Sequence, residues 1–143
     1  MEENSQSAEK IKLDFKESMY ATGRRKTSIA KIWLKKGTGK IFVNGKNFQD
    51  YFSSDTHKMQ ILRPFEIIDQ ATQYDVRCQV VGGGHTGQAG AMVHGISKAL
   101  VKFDENFKTT LRKEKLTTRD SRAVERKKPG LAKARKSYQF SKR

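Results

Sequence analysis

The side chains able to do chemistry in this chain of 143 residues fall into two sets, a sparse one that fails the catalytic tests and a dense cationic one. The three histidines, His57, His85 and His94, are not at metal-ligand spacing. His85 and His94 lie on either side of a glycine-rich stretch, with no cysteine or carboxylate partner nearby. No Ser, His and Asp fall on a nucleophile elbow. No Gly-Lys-Ser/Thr follows a glycine at the P-loop distance. The carboxylates are few and mostly adjoin Lys or Arg, which suits paired acid–base work poorly. Cys78 is the only cysteine, so an internal disulfide and a cysteine-built zinc site are both excluded. Set in a strand pattern, it reads as a small buried hydrophobe. The expectation is therefore no enzyme, no cofactor, no metal and no small-molecule substrate.

The dense set points to phosphate. Gly23-Arg24-Arg25-Lys26-Thr27 places three consecutive cations on what reads as extended backbone, with no carboxylate within several residues to neutralise them. Contact with phosphate is the economical explanation. A second run, Leu116 to Arg143, carries Arg119, Arg122, Arg126, Lys127, Lys128, Lys133, Arg135, Lys136, Lys142 and Arg143 against only Asp120 and Glu125. Beyond Leu116 its large apolar side chains are Val124, Leu131, Tyr138 and Phe140. So little to bury and so much like charge cannot offset the entropy of ordering. The run is expected to be a coil that a polyanion orders. Extended at about 3.3–3.6 Å per residue it could reach roughly 90 Å, against a body on the order of 35 Å across.

A third motif, Gly82-Gly83-Gly84-His85-Thr86-Gly87, matches G-x-G-x-x-G between a strand and a helix. Dinucleotide binding needs a crossover to a second parallel strand and an acidic residue to hold a ribose. Beyond Phe103 the chain gives another helical pattern and then the basic run, so that reading fails. A glycine-rich turn opening a helix still offers N–H groups to an anion, here an RNA phosphate, and lets helix and strand approach closely.

The formal charge of +15, from 30 Lys and Arg against 15 Asp and Glu, makes nucleic acid the expected partner. A membrane is not expected: no apolar run nears the ~20 residues needed to span a bilayer, and the first residues lack the apolar core of a secretory signal and the Arg-rich pattern of a transit peptide. The patterning divides the chain into three segments: a polar N-terminal extension over 1–18, a globular core over 19–116 and a basic extended tail over 117–143. Within the extension, Ile11, Leu13 and Phe15 alternate and could add a short strand. Thr27 to Lys35 alternates with period two, with Ala30, Ile32 and Leu34 on one face and Lys31, Trp33 and Lys35 on the other. That second face suits an RNA surface, or Trp33 packs under a neighbouring element. Gly37-Thr38-Gly39 then predicts a hairpin to Ile41–Val43, and Asn44-Gly45 a further turn. Asn47 to Phe52 predicts a helical turn, and Thr56 onward a short helix ending before Pro64. Tyr74 to Val81 predicts a strand with Val76, Cys78 and Val80 inward. Gly87 to Phe103 predicts a helix with one apolar stripe and His94, Lys98 and Lys102 in a row on another face, as a groove wall or an ordinary solvated face. Asp104 can cap a last helix over 105–115. Antiparallel strands with helices on one face make a two-layer α/β sandwich.

Three stretches together carry a resemblance: ATGRRKTSIAKIWL at 21–34, GGGHTGQAGAMVHGISKAL at 82–100 and LTTRDSRAVERKKPGLAKARKSYQFSKR at 116–143. From about Tyr20 onward the chain resembles the small-subunit ribosomal protein S9 family, of bacterial and organellar type. The resemblance implies the two-layer fold of the second domain of ribosomal protein S5 and a structural role in the small-subunit head. It implies that Arg24, Arg25, Lys26, Arg119, Arg122, Arg126, Lys127, Lys128, Lys133 and Arg135 hold rRNA of the 3′ domain. Lys142 and Arg143 would reach P-site tRNA, with neighbouring head proteins as further partners. The implied location is the ribosome, in a bacterial cytoplasm, a mitochondrial matrix or a plastid. The chain departs from the family pattern at Val93, where a cation is usual, at Ser137-Tyr138 in place of Ala-Pro, and at Lys113-Glu114-Lys115, where a glycine is usual before Leu116. The alternative is a non-ribosomal architectural protein binding RNA or DNA, which would favour duplex in competition with folded RNA.

Overall fold

The structure, a computed structural model, describes residues 17–141. The expected extension up to Lys16, with its alternating Ile11, Leu13 and Phe15, and the terminal Lys142 and Arg143 lie outside the described residues. In chain order the elements are β1 (Met19–Arg25), β2 (Ser28–Lys36), β3 (Ile41–Val43), β4 (Lys46–Asn47), α1 (Phe48–Tyr51), α2 (Asp55–Ile67), β5 (Tyr74–Val81), α3 (His85–Phe103) and α4 (Phe107–Lys113). The five strands form one sheet in the order β1-β2-β5-β3-β4. Only β3 and β5 run parallel; the other three pairings are antiparallel. Alternation decides the faces. Ala21, Ala30, Ile32, Leu34, Val76, Cys78 and Val80 are buried on one side, and α3 packs over it with α2 alongside. This is the expected two-layer α/β sandwich, consistent with the S5 second-domain type.

The hairpin predicted between β2 and β3 does not form. β5 lies between them, pairing Ile32 with Cys78 on one side and Val43 with Cys78 on the other. Residues 37–40 cross the start of β5 instead of turning back. Asp75 holds them there: its Oδ1 accepts from the N–H groups of Thr38, Gly39 and Lys40 at 2.9, 3.0 and 2.9 Å. A Cβ on Gly37 would lie 2.0 Å from Asp75 Oδ2, so the glycine serves this crossing rather than a tight turn. The true hairpin of this region joins β1 to β2 through Lys26 and Thr27, and Lys26 takes φ +51°. The three-cation run is therefore not extended throughout. Asn44-Gly45 forms the expected turn, into β4, with φ of +50° and +82°, as a two-residue hairpin requires. The Asn44 side chain then continues the ladder, donating to Val80 O at 3.1 Å and accepting from Val80 N–H at 2.9 Å.

The helix through residue 56 also differs from expectation. α2 runs through Pro64 to Ile67. A proline in a helix interior removes one hydrogen bond and crowds the preceding turn. Here Ile61, Pro64 and Phe65 form one buried face, and that packing holds the helix together across the break. The last helix starts later than expected: its N-cap is Asn106, with no side-chain cap bond, and Asp104 holds the turn before it, its Oδ1 accepting from Asn106 N–H at 2.9 Å. Among the described residues no helix is long and apolar enough to cross a membrane.

Candidate nucleic-acid interface

The glycines along α3 set where the basic groups go. A Cβ on Gly23 of β1 would sit 1.9 Å from the Ala91 carbonyl oxygen and 2.3 Å from Gly95 N. On Gly95 it would meet Ile32 at 2.6 Å. Helix and strand thus touch backbone to backbone. At that distance the row His94, Lys98 and Lys102 meets the β1 backbone, with His94 and Lys98 half-buried and Lys102 exposed. Lys102 Nζ donates to Tyr20 O at 2.9 Å and Lys98 Nζ to Thr22 O at 3.0 Å. His94 Nδ1 accepts from Arg24 N–H at 3.3 Å. Four helical residues rise about 6 Å and two strand residues about 6.6 Å, so the two rows stay in step. Among the described residues β1 is the outer strand of the sheet, and these three side chains occupy its outer backbone edge.

The other end of this seam is where the basic groups converge. α4 closes with Lys115 N–H on Arg112 O at 3.0 Å and Leu116 N–H on Leu111 O at 3.1 Å. Lys115 has φ +58°, the left-handed position such helix ends usually give to glycine. The chain leaves α4 beside His94, whose ring also meets the Thr117 backbone. A cavity of about 230 Å³ opens there, lined among others by Arg24, Arg25, Arg63, Lys115, His94 and Asp120. Asp120 Oδ2 lies 3.6 Å from Arg25 Nη2, so the three-cation run does have a carboxylate near it. The sequence separation of Arg25 and Asp120 hid this. Arg122 Nε and Nη2 grip both Asp120 oxygens at 2.7–3.1 Å. The hydrogen bonds from Arg122, with the added charge of Arg25, hold the Asp120 carboxyl well below the usual range. His94 is likewise pushed away from protonation: burial, then the charge of Lys98, lowers its pKa, and Arg119 adds to this.

Residues 117–141 contain no helix or strand. Arg119, Arg122, Arg126, Lys127, Lys133 and Arg135 are exposed there, as are Arg24 and Lys26 on the body, while Arg25 and Lys128 are half-buried. Glu125 ties together Lys128 and, at 2.9 Å, Arg135, which lowers its pKa through those hydrogen bonds. Val124, Tyr138 and Phe140 are 89, 67 and 87% exposed, so both tail aromatics present ring faces on which bases can stack. On the sheet face that α3 leaves uncovered, Trp33 packs against Tyr20 at 5.3 Å between centroids, with the Arg77 guanidinium 5.9 Å from its ring. Its packing is thus lateral, within the face.

A family model described as ribosomal protein S9/S16 matches residues 23–143. The chain belongs to the ribosomal protein S9 family. The small ribosomal subunit protein uS9 of Rickettsia canadensis (strain McKiel) is 56% identical over 136 residues, 95% of this chain and 84% of that one. The uS9 proteins of Rickettsia felis and Rickettsia typhi are each 56% identical over 134 residues, covering 94% of this chain and 83% of theirs. S9 is a family of structural proteins, not enzymes. These relatives are bacterial and lend no support to an organelle. Val93 and Lys115, where the resemblance leads one to expect a cation and a glycine, both line the cavity.

The remaining chemistry-bearing residues have structural employment. Gly82 O accepts from Ser28 Oγ at 3.0 Å and Gln88 Nε2 at 3.1 Å. A Cβ on Gly83 or Gly87 would fall 2.1 or 2.8 Å from Ser28 Oγ, so close approach accounts for these glycines. His85 packs edge-on to Tyr51 and Phe52, and His57 edge-on to Phe52. Cys78 is buried and its thiol is pushed up by desolvation, which leaves it a poor nucleophile. Sequence reasoning did not find Arg63, which reaches the cavity from α2 and pairs with Glu114 at 2.9 Å. A lone arginine before Pro64 carried no signal.

Proposed function

We propose that this chain is a structural constituent of the small ribosomal subunit that binds rRNA of the 3′ head domain. Arg24, Arg25 and Lys26 at the end of β1, with Arg119, Arg122, Arg126, Lys127, Lys128, Lys133 and Arg135 in the tail, hold the rRNA backbone. Lys142 and Arg143 reach P-site tRNA, and other head proteins lie alongside. The location is the ribosome in a bacterial cytoplasm. The observation that carries this reading is the continuity of the family match from Gly23 through the entire basic tail. Supporting it, the tail cations and aromatics face solvent in a segment too poor in apolar groups to bury itself. Phosphate contacts supply affinity and position, while exposed aromatics add stacking that tolerates sequence. The test is co-sedimentation. A tagged copy is expected to travel with small subunits and to stay on them through a high-salt wash. Recovery only in the free-protein fraction would overturn the reading.

A further inference from the structure

The cavity between β1, α2, α3 and the tail root has an unusual charge arrangement. Arg24, Arg25, Arg63 and Lys115 line it, and Asp120 is the carboxylate among them. One carboxylate among four cations is the wrong donor set for a metal ion and the right one for an oxyanion. Asp120 already occupies that role. Its Oδ2 faces Arg25 Nη2 at 3.6 Å while Arg122 takes both oxygens. Two guanidinium groups around a two-oxygen anion is the geometry that planar forks offer a phosphate as readily as a carboxylate. Arg25 is held for this purpose by Gly90. A Cβ there would lie 2.3 Å from Arg25 Cδ and 3.0 Å from Nη1, so the bare helix surface is the floor on which the guanidinium lies. His94, beside it, resists a proton because of burial and the surrounding cations Lys98 and Arg119, which agrees with a site already rich in positive charge.

We infer that Asp120 is an intramolecular stand-in for a phosphate group: the free protein closes the Arg25 socket with its own carboxylate, and a phosphate displaces it. Asp120 is free to leave because it belongs to a segment without helix or strand and is bonded mainly to Arg122, two residues on. The pair can swing out as a unit and carry Arg122 to a second phosphate. This deepens the rRNA-binding reading and rests on it for the source of the phosphate, an RNA backbone rather than the free ion. Occupation of the socket would also break the Asp120 contact with the body, so binding at the body and release of the chain from Asp120 onward become one event.

The experiment uses the full chain as wild type, Asp120→Asn and Asp55→Asn. Asp55 is a charge control that does not line the cavity and pairs with Lys58. Inorganic phosphate is titrated while the Arg25 Nε–H and Gly90 amide signals are followed by NMR, and a 3′-domain rRNA fragment is titrated at several salt concentrations. Removing a half-buried ionic competitor is expected to tighten both ligands about two- to fivefold in Asp120→Asn and to steepen the salt slope by about 0.9, one contact. Asp55→Asn should track wild type. Asp120→Ser repeats the reading so that it does not hang on the folding of one variant. If the Asp120 variants bind phosphate and RNA no better than Asp55→Asn, or worse, the carboxylate orients Arg25 instead of blocking it and the inference is wrong. A gain for phosphate without one for RNA overturns the RNA source. Failure of wild type to bind the rRNA fragment counts against the proposed function alone, because the phosphate arm still reads the socket.

Discussion

His94 shows how a single side chain can join three parts of the molecule. It accepts from Arg24 N–H at the strand edge, meets the Thr117 backbone where the tail begins, and stands near Lys98 and Arg119. Only a ring with a lone pair on Nδ1 can accept that bond. Burial and the neighbouring cations lower its pKa from 6.5 in the folded protein. The unfolded chain therefore takes up a proton first as pH falls. His94 contributes stability above about pH 6.5, and that contribution is lost as pH drops below it toward the folded pKa. The expected result is a urea midpoint that declines between pH 7 and 5 in wild type and declines less in His94→Gln. Equal slopes for the two would remove His94 from this role. The sequence placed His94 in a row with Lys98 and Lys102 but could not say what the row faced. Spacing tells which residues share a helix face, and only packing tells what lies opposite. Asp120 was hidden for a related reason. Its partner Arg25 is distant along the chain, and charge patterning reads only near neighbours.

Among the elements, α3 carries most of the architecture, through what it lacks. Gly23 and Gly95 let strand and helix meet at their backbones, which brings the α3 side chains within reach of the β1 edge. Gly23→Ala should drive a methyl group into the Ala91 carbonyl, and the only relief is to lift α3. The expected loss is at least about 3 kcal/mol in chemical denaturation, at the severe end of overpacking. Gly45→Ala is the contrast: a Cβ there meets nothing within 4 Å, and the cost is the left-handed strain alone, about 1 kcal/mol. Similar losses for both would contradict the packing account. The alternation of β2 and β5 and the apolar stripe of α3 were readable because each has one face in the core. The partner of β3 was not. A glycine-bearing loop of four residues looks like a hairpin turn, and only the later strand β5, drawn in by Asp75 on the 37–40 backbone, converts it into a crossing. The continuation of α2 through Pro64 was equally hidden, since local propensity set the expectation and burial of Ile61, Pro64 and Phe65 overruled it.

Taken whole, the described molecule has its core before residue 117, and residues 117–141 contain no helix or strand. The core residues lie in the sheet, α1 and the adjoining Phe52, α2, α3 and Leu111 of α4, and among the described residues no apolar side chain beyond Leu116 packs against that core. Removing residues 139–143 should therefore leave the thermal midpoint of the body unchanged within about 1 °C, because surface segments away from the core contribute little. Assembly into subunits should be nearly intact and P-site tRNA binding weakened, as measured by filter binding to purified subunits. Loss of folding or of assembly in this truncation would contradict the separation. The sheet itself has a further consequence. One margin is stitched down by Lys98, Lys102 and His94, and the other is cut to the two residues of β4. Among the described residues the sheet thus offers no long bare strand for a second copy to extend, the kind of edge that templates fibrils in a crowded pool of newly made chains.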